Sequence, residues 1–239
     1  MAGEDAIEQA LFLFDIDGTL LGSSTEIHRA AFRHAFQTVY GLPLSLDGIS
    51  AAGRTDAWLL AEALRRAGVD RDVIGEGMAE TFVVMQDYVD EHLGDLRDNV
   101  LPGVPEVLAG LHEHDQLLGL LTGNLSRVAM AKMRHAGLAD HFDTGGFGEE
   151  SEVRAHLVPV ALAHASARSG RTIPASRAVV IGDTPLDIEA GREHGTKTVG
   201  VATGPFTEDQ LRDAGADLVL PSLEDSAAAM QALLDVASL

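Results

Sequence analysis

The chain is predicted to be an α/β protein: a doubly wound, mostly parallel sheet flanked by helices, with an all-helical insert after the first strand. Three observations in its 239 residues predict this. Short apolar runs stop at acidic residues, as Leu11–Phe14 does at Asp15 and 178–181 does before Gly182-Asp183, which is how strands buried on both faces of a parallel sheet read. From Leu101 onward such runs alternate with helical periodicity, the rhythm of βαβ units. Residues 22–99, between the first strand and that alternating region, read as helical with no obvious strand.

Taken in order, the first strand is 11–14. Thr25 can cap a helix whose apolar positions Ile27, Ala30, Ala31, Phe32, Ala35, Phe36 and Val39 repeat at helical spacing, with Gly41 and Pro43 as stop signals. Thr55 can cap a second helix carrying Trp58, Leu59, Leu60, Ala63 and Leu64 up to Gly68, and a third covers about 73–93 across Gly75 and Gly77. A helix after Pro102, a strand at 117–121 and a helix from Ser126 to the stop at Gly137 follow. Then come a short segment at 142–147, a helix from about Glu152 to Ala167, the strand 178–181 and a helix over 184–193 stopped by Gly195. Strands at 198–201 and 218–220 with a short helix between them, and a last helix from Leu223, complete the chain. The economical division is an α/β core of residues 1–21 and 99–239 with a helical cap of residues 22–98. Ligands of such sheets bind beyond the carboxyl ends of the strands, where the insert covers them.

Composition narrows the function. Lys and Arg number 17 against 37 Asp and Glu, a formal net charge of −20, which repels a nucleic-acid backbone or an anionic bilayer. With no cysteine, disulfides, thiolate metal sites and Cys nucleophiles are excluded, so a catalytic nucleophile must be oxygen or nitrogen. The first ten residues carry Glu4, Asp5 and Glu8 and no basic region of the secretory kind, and no apolar run approaches the ~18 residues of a membrane span. A soluble, cytoplasmic protein is expected.

The chemistry sits at strand ends. Phe12-Leu13-Phe14-Asp15-Ile16-Asp17-Gly18-Thr19-Leu20 puts two carboxylates two residues apart, on one side of an extended chain. Like charges that close call for a cation or a retained proton. Asp183 and Asp187 follow another strand, and Leu121-Thr122-Gly123-Asn124 brings a hydroxyl and turn amides to a third. Any one of these alone reads as turn or helix-cap chemistry. Three in this order, with an insert after the first, read as one site.

These three motifs, Asp15 to Leu20, Thr122 to Asn124 and Gly182 to Asp187, resemble those of the haloacid dehalogenase-like superfamily in its phosphatase branch, over nearly the whole chain. The resemblance implies a Rossmann-like core, Asp15 as nucleophile and Asp17 as general acid and base. It implies Mg²⁺ held by the Asp15 carboxylate, the Asp17 backbone carbonyl and Asp183, with Asp187 standing behind them. Asp17 argues for phosphoryl transfer, because the dehalogenating members lack the second Asp of the first motif. Thr122, with the Gly123 and Asn124 amides, is suited to bind phosphoryl oxygens. The family's usual third-motif lysine is absent. Lys132 follows the Thr motif on its helix and Lys197 follows the last acidic motif, so Arg154 is the best substitute, with a solvated helix arginine as the bland alternative.

In the insert, Ile27-His28-Arg29-Ala30 and Gly53-Arg54-Thr55 resemble positions in phosphoglycolate phosphatases and β-phosphoglucomutases whose cap contacts substrate. Arg54 and His28 are therefore candidate substrate-binding residues, against surface charge and packing as the alternatives. The usual acidic residue after the first motif is replaced by Gly22-Ser23-Ser24. The reading is a Mg²⁺-dependent phosphatase of a small phosphorylated metabolite, phosphoglycolate phosphatase-like. A β-phosphoglucomutase-like phosphomutase and a non-catalytic phosphate-sensing module remain as alternatives.

Overall fold

A computed structural model describes residues 9–22 and 26–239. The expected cap at Thr25, the Ser23-Ser24 loop and the tail up to residue 8 lie outside the described residues. Six parallel strands form one sheet in the order β3-β2-β1-β4-β5-β6. They are β1 (Leu11–Phe14), β2 (Leu117–Leu121), β3 (Gly145–Gly146), β4 (Ala178–Gly182), β5 (Lys197–Val201) and β6 (Leu218–Leu220). The fold is thus the predicted doubly wound α/β type.

Strand β1 is wholly buried, pairing Phe14 with Leu120 on one side and with Ile181 on the other. Its side chains alternate between two cores. Phe12 and Phe14 join Val179 and Ile181 in the larger one, while Leu11 and Leu13 join Val180, Val158 and Ala161 in the smaller. Alternation explains why the strand reads as a continuous apolar run. Chain order steps outward from β1 to β2 and β3, then returns to β4 beside β1. The β1/β4 boundary is therefore the switch point, where a crevice opens beyond the strand ends.

Three helices, α1 (Glu26–Tyr40), α2 (Asp56–Arg66) and α3 (Arg71–His92), separate β1 from α4 (Val104–Glu113). The Thr55 hydroxyl accepts from Trp58 N–H at 3.2 Å and starts α2, as its sequence position predicts. Helix α3 begins two residues earlier than the periodicity predicts because Asp70 caps it. It runs through Gly77 because a Cβ there would lie 2.6 Å from Tyr40 Oη, so the missing side chain admits the tyrosine of α1.

The remaining helices are α5 (Ser126–Ala136), α6 (Leu157–Ser169), α7 (Pro185–Glu193), α8 (Glu208–Asp213) and α9 (Ser226–Ala237). Two of these helices start later than expected. The helix expected from Glu152 starts at Leu157, after a tight turn over Arg154–His156, because Pro159 lacks an N–H and fits only in a first turn. The last helix starts at Ser226 rather than Leu223 because Asp225 accepts from Ala228 N–H and fixes its start. The segment 142–147 contributes only the two-residue β3 to the sheet. No helix among the described residues is long and apolar enough to cross a membrane.

Candidate active site

Asp15 directly follows β1, and its N–H donates to Ile181 O at 2.9 Å, which prolongs the pairing with β4 and fixes the residue at the switch point. The chain then turns at once: Leu20 and Leu21 both donate to Ile16 O at 2.9 Å. Gly18, at φ +92°, is required twice over, because a Cβ there would also lie 2.3 Å from Asp183 Oδ2. The Thr203 hydroxyl donates to Gly18 O at 2.6 Å and holds the turn against the loop after β5.

Across the switch point the loop after β4 carries Asp183, and Asp187 lies in the first turn of α7. Asp187 has one oxygen in the cap of its own helix, accepting from Thr184 N–H at 3.1 Å and Thr184 Oγ1 at 2.7 Å. Its other oxygen lies 2.5 Å from Arg154 Nη2, which is 3.0 Å from Asp15 Oδ1. Arg154 is buried and also donates to Leu121 O at 3.1 Å and Gly53 O at 3.3 Å. The guanidinium therefore joins the end of β2, the Asp15 carboxylate, the start of α7 and the loop before α2.

Oxygens of Asp15, Asp183 and Asp187 lie within 4.8 Å of one another. Burial, then the Asp15 and Asp187 carboxylates, push Asp183 up to about 8. Burial also pushes Asp15 up to about 6; Arg154 opposes it, and the Asp187 and Asp17 charges add to it. Asp183 is 2% exposed and its Oδ1 accepts no hydrogen bond among the described residues. A buried, oxygen-only donor set carrying an unsatisfied carboxylate fits a hard divalent cation.

The Asp17 side chain turns away from this cluster. Lys132 Nζ lies 2.8 and 2.6 Å from its two oxygens, and Asn124 Nδ2 donates to Oδ2 at 2.9 Å. Burial works to raise the Asp17 carboxyl, but the Lys132 charge and these hydrogen bonds outweigh it and hold it below its ordinary value. Only its backbone carbonyl remains for the cation contact that the resemblance implies.

After β2, the Thr122 hydroxyl accepts from Asn124 Nδ2 at 2.8 Å and from Asn124 N–H at 3.3 Å. Gly123 permits a close approach of the helical insert, since a Cβ would sit 2.1 Å from Arg54 O. Its carbonyl accepts from Asp56 N–H at 2.7 Å. Asp56 Oδ2 in turn accepts from Leu125 N–H and lies 3.0 Å from His28 Nε2.

Sequence-predicted site residues thus meet around one cavity of about 830 Å³, which Asp15, Asp17, Thr122, Gly123, Asn124, Arg154 and Asp183 line from the sheet side. His28 and Arg54 line it from the insert. His28 is buried, with its ring nitrogens engaged by Asp56 and Lys132, whereas Arg54 is exposed and stacks over Trp58 at 4.4 Å. Asp187 stands behind, tied to Thr184 and Arg154.

Two residues were missed by sequence reasoning. Lys132 lies outside the stretch where a third-motif lysine is sought, yet the fold returns it to the site. Its signal is a charge inside the apolar stripe Val128, Ala129, Met133 and Ala136 of α5. Asp56 reads as an ordinary acidic residue opening a helix, and nothing in the sequence reveals its reach to Leu125.

A family model described as "Hydrolase: haloacid dehalogenase-like hydrolase" matches residues 10–195. The chain is 30% identical over 225 residues to a phosphoglycolate phosphatase of Caulobacter vibrioides, covering 90% of this chain and 88% of that one. It is 30% identical over 217 residues to the N-acetylmuramic acid 6-phosphate phosphatase of Pseudomonas aeruginosa, covering 87% and 88%. The crystal structure of β-phosphoglucomutase from Clostridium difficile superposes with a TM-score of 0.69 at 18% identity, covering 95% of this chain and 98% of that one, a likeness of fold.

Proposed function

Because the chain belongs to the haloacid dehalogenase-like hydrolase family, we propose that it is a Mg²⁺-dependent phosphatase hydrolysing a small phosphomonoester through an aspartyl-phosphate on Asp15. The phosphatases among its relatives support phosphoric monoester hydrolysis as the reaction class. In this reading residues 22–98 form the cap and 1–21 with 99–239 the catalytic core. The observation that carries it is the convergence on Asp15: a buried carboxylate at the floor of a cavity, flanked by Arg154, Asp183 and the Thr122 loop.

An Asp15 oxygen attacks phosphorus in line as the ester P–O bond breaks; Asp17, ionised in the resting site, takes up the proton that the monoanionic ester brings in and delivers it to the departing alkoxide. Asp17 then takes a proton from the water that attacks the aspartyl-phosphate, releasing inorganic phosphate and restoring Asp15. Arg154 and Thr122, with the Gly123 and Asn124 amides, hold the phosphoryl oxygens while their charge is redistributed. Asp15, the Asp17 carbonyl and Asp183 would hold Mg²⁺, which supplies charge neutralisation of the phosphate dianion. Enclosure by the insert favours small metabolites, with phosphoglycolate first among those to assay.

The test is phosphate release from a panel of small phosphomonoesters, with and without Mg²⁺. Turnover that requires Mg²⁺, together with a phosphorylated Asp15 trapped on acid quench, is the expected result. Transfer of the phosphoryl group to a sugar in preference to water would reassign the chain as a mutase. Ligand binding without turnover would make it a sensing module.

A further inference from the structure

Lys132 is one of only two lysines in the chain, is 0% exposed, and lies on the apolar stripe of α5. An ammonium taken out of water is costly unless it is fully partnered. Its partners are all polar groups lining the cavity: both oxygens of Asp17 at 2.8 and 2.6 Å, Asn124 Oδ1 at 2.7 Å and His28 Nδ1 at 3.3 Å. Asn124 Nδ2 closes the ring onto Asp17 Oδ2. Two donors from different elements, α5 and the loop after β2, thereby fix the rotation of one carboxylate. The Nδ1 contact implies that His28 donates from Nε2 to Asp56, so the same ammonium also links Asp17 to α1 and to the start of α2.

We propose that Lys132 is a positioning residue for the reaction: it holds the Asp17 carboxylate in the orientation from which a proton reaches the leaving group, and through His28 it ties that orientation to the helices of the insert. This assignment rests on the reading of Asp17 as the acid and base. A lysine serving the fold alone needs one counter-charge, and Asp17 would suffice. The additional grip on Asn124 and His28 places the ammonium at the junction of the phosphate loop and the insert.

A proton donor matters in proportion to the basicity of the departing oxygen. An alkoxide needs the proton, whereas p-nitrophenolate leaves without it, and general acid catalysis is worth roughly 10²–10⁴-fold where it is needed. The experiment compares kcat/KM, which reports the steps up to phosphoryl transfer, for an alkyl phosphate turned over by the wild-type enzyme and for p-nitrophenyl phosphate. Lys132→Met and Lys132→Gln are measured beside wild type, with far-UV circular dichroism and thermal unfolding as folding controls. Lys132→Met is expected to lose about 10²-fold on the alkyl ester and less than about threefold on the aryl ester, with Lys132→Gln between it and wild type. Equal losses on both esters in a folded variant, or no loss on either, overturn the proposal. So does failure of both variants to fold, which would assign Lys132 to the fold alone. Wild-type protein that hydrolyses neither ester with Mg²⁺ overturns the phosphatase reading itself and takes this assignment with it.

Discussion

The guanidinium of Arg154 lies 3.0 Å from Asp15 Oδ1 and 2.5 Å from Asp187 Oδ1, so one buried cation serves two of the three clustered carboxylates. Removing it leaves those charges facing one another in a low-dielectric pocket and, in the proposed reaction, takes away a fork for the phosphoryl oxygens. Arg154→Ala should lower kcat/KM by about 10²–10³-fold. Arg154→Lys, which keeps the charge and loses the fork, should recover part of it. Steady-state kinetics on the two variants check this, and wild-type kinetics in Arg154→Ala would leave the arginine outside the reaction.

Asp15→Asn should abolish turnover and phosphoenzyme formation while the fold persists. The substitution removes one of the mutually repelling carboxylates, so thermal unfolding in metal-free buffer at neutral pH should occur at the wild-type temperature or above it. Appreciable residual turnover would exclude Asp15 as nucleophile.

The acidic cluster predicts a coupling between pH, Mg²⁺ and stability. Asp183 and Asp15 are pushed up to about 8 and about 6. Both values lie above the unfolded carboxyl value of about 3.9. Their contribution to the ion-free protein is therefore complete below that value and is lost as the pH rises through about 6 and then about 8. Mg²⁺ competes with protons for the same oxygens and should raise Tm more near pH 8 than near pH 6. Comparison with Asp183→Asn isolates the effect. An identical pH slope and Mg²⁺ response in that variant would remove Asp183 from the coupling.

Gly123→Ala tests the contact between the Thr122 loop and the insert. The added Cβ would fall 2.1 Å from Arg54 O, backbone against a backbone that carries the Asp56 N–H bond to Gly123 O. The strain, about 1–3 kcal/mol, should be relieved by parting the two loops, raising KM more than it lowers thermal stability. An unchanged KM would show that the approach is not needed for binding.

Much of this site is legible in the sequence because its chemistry sits at the ends of short apolar strands. Asp15, Thr122 and Asp183 each follow a run that can only be a buried strand, and the parallel order brings those ends to one edge. Arg154 is legible by its place in the chain, although not its setting: Pro159 delays α6 and leaves the arginine in a tight turn pointing at Asp15. Lys132 and Asp56 are hidden because their partners are distant in sequence; Lys132 is 115 residues from Asp17 and Asp56 is 69 from Leu125. Strand β3 is two glycines, which have no side-chain pattern to read. A Cβ at Gly145 would strike Leu120 O at 2.6 Å, so bareness there is a packing requirement.

The enclosure of Lys132 has a practical corollary for handling the molecule. With that amine sealed inside, Lys197, partly exposed at the first residue of β5, is the one lysine side chain open to acylating reagents. It lies at the amino end of its strand, across the sheet from the mouth of the cavity. A dye, biotin or bead coupled through it would leave the opening turned outward and unobstructed.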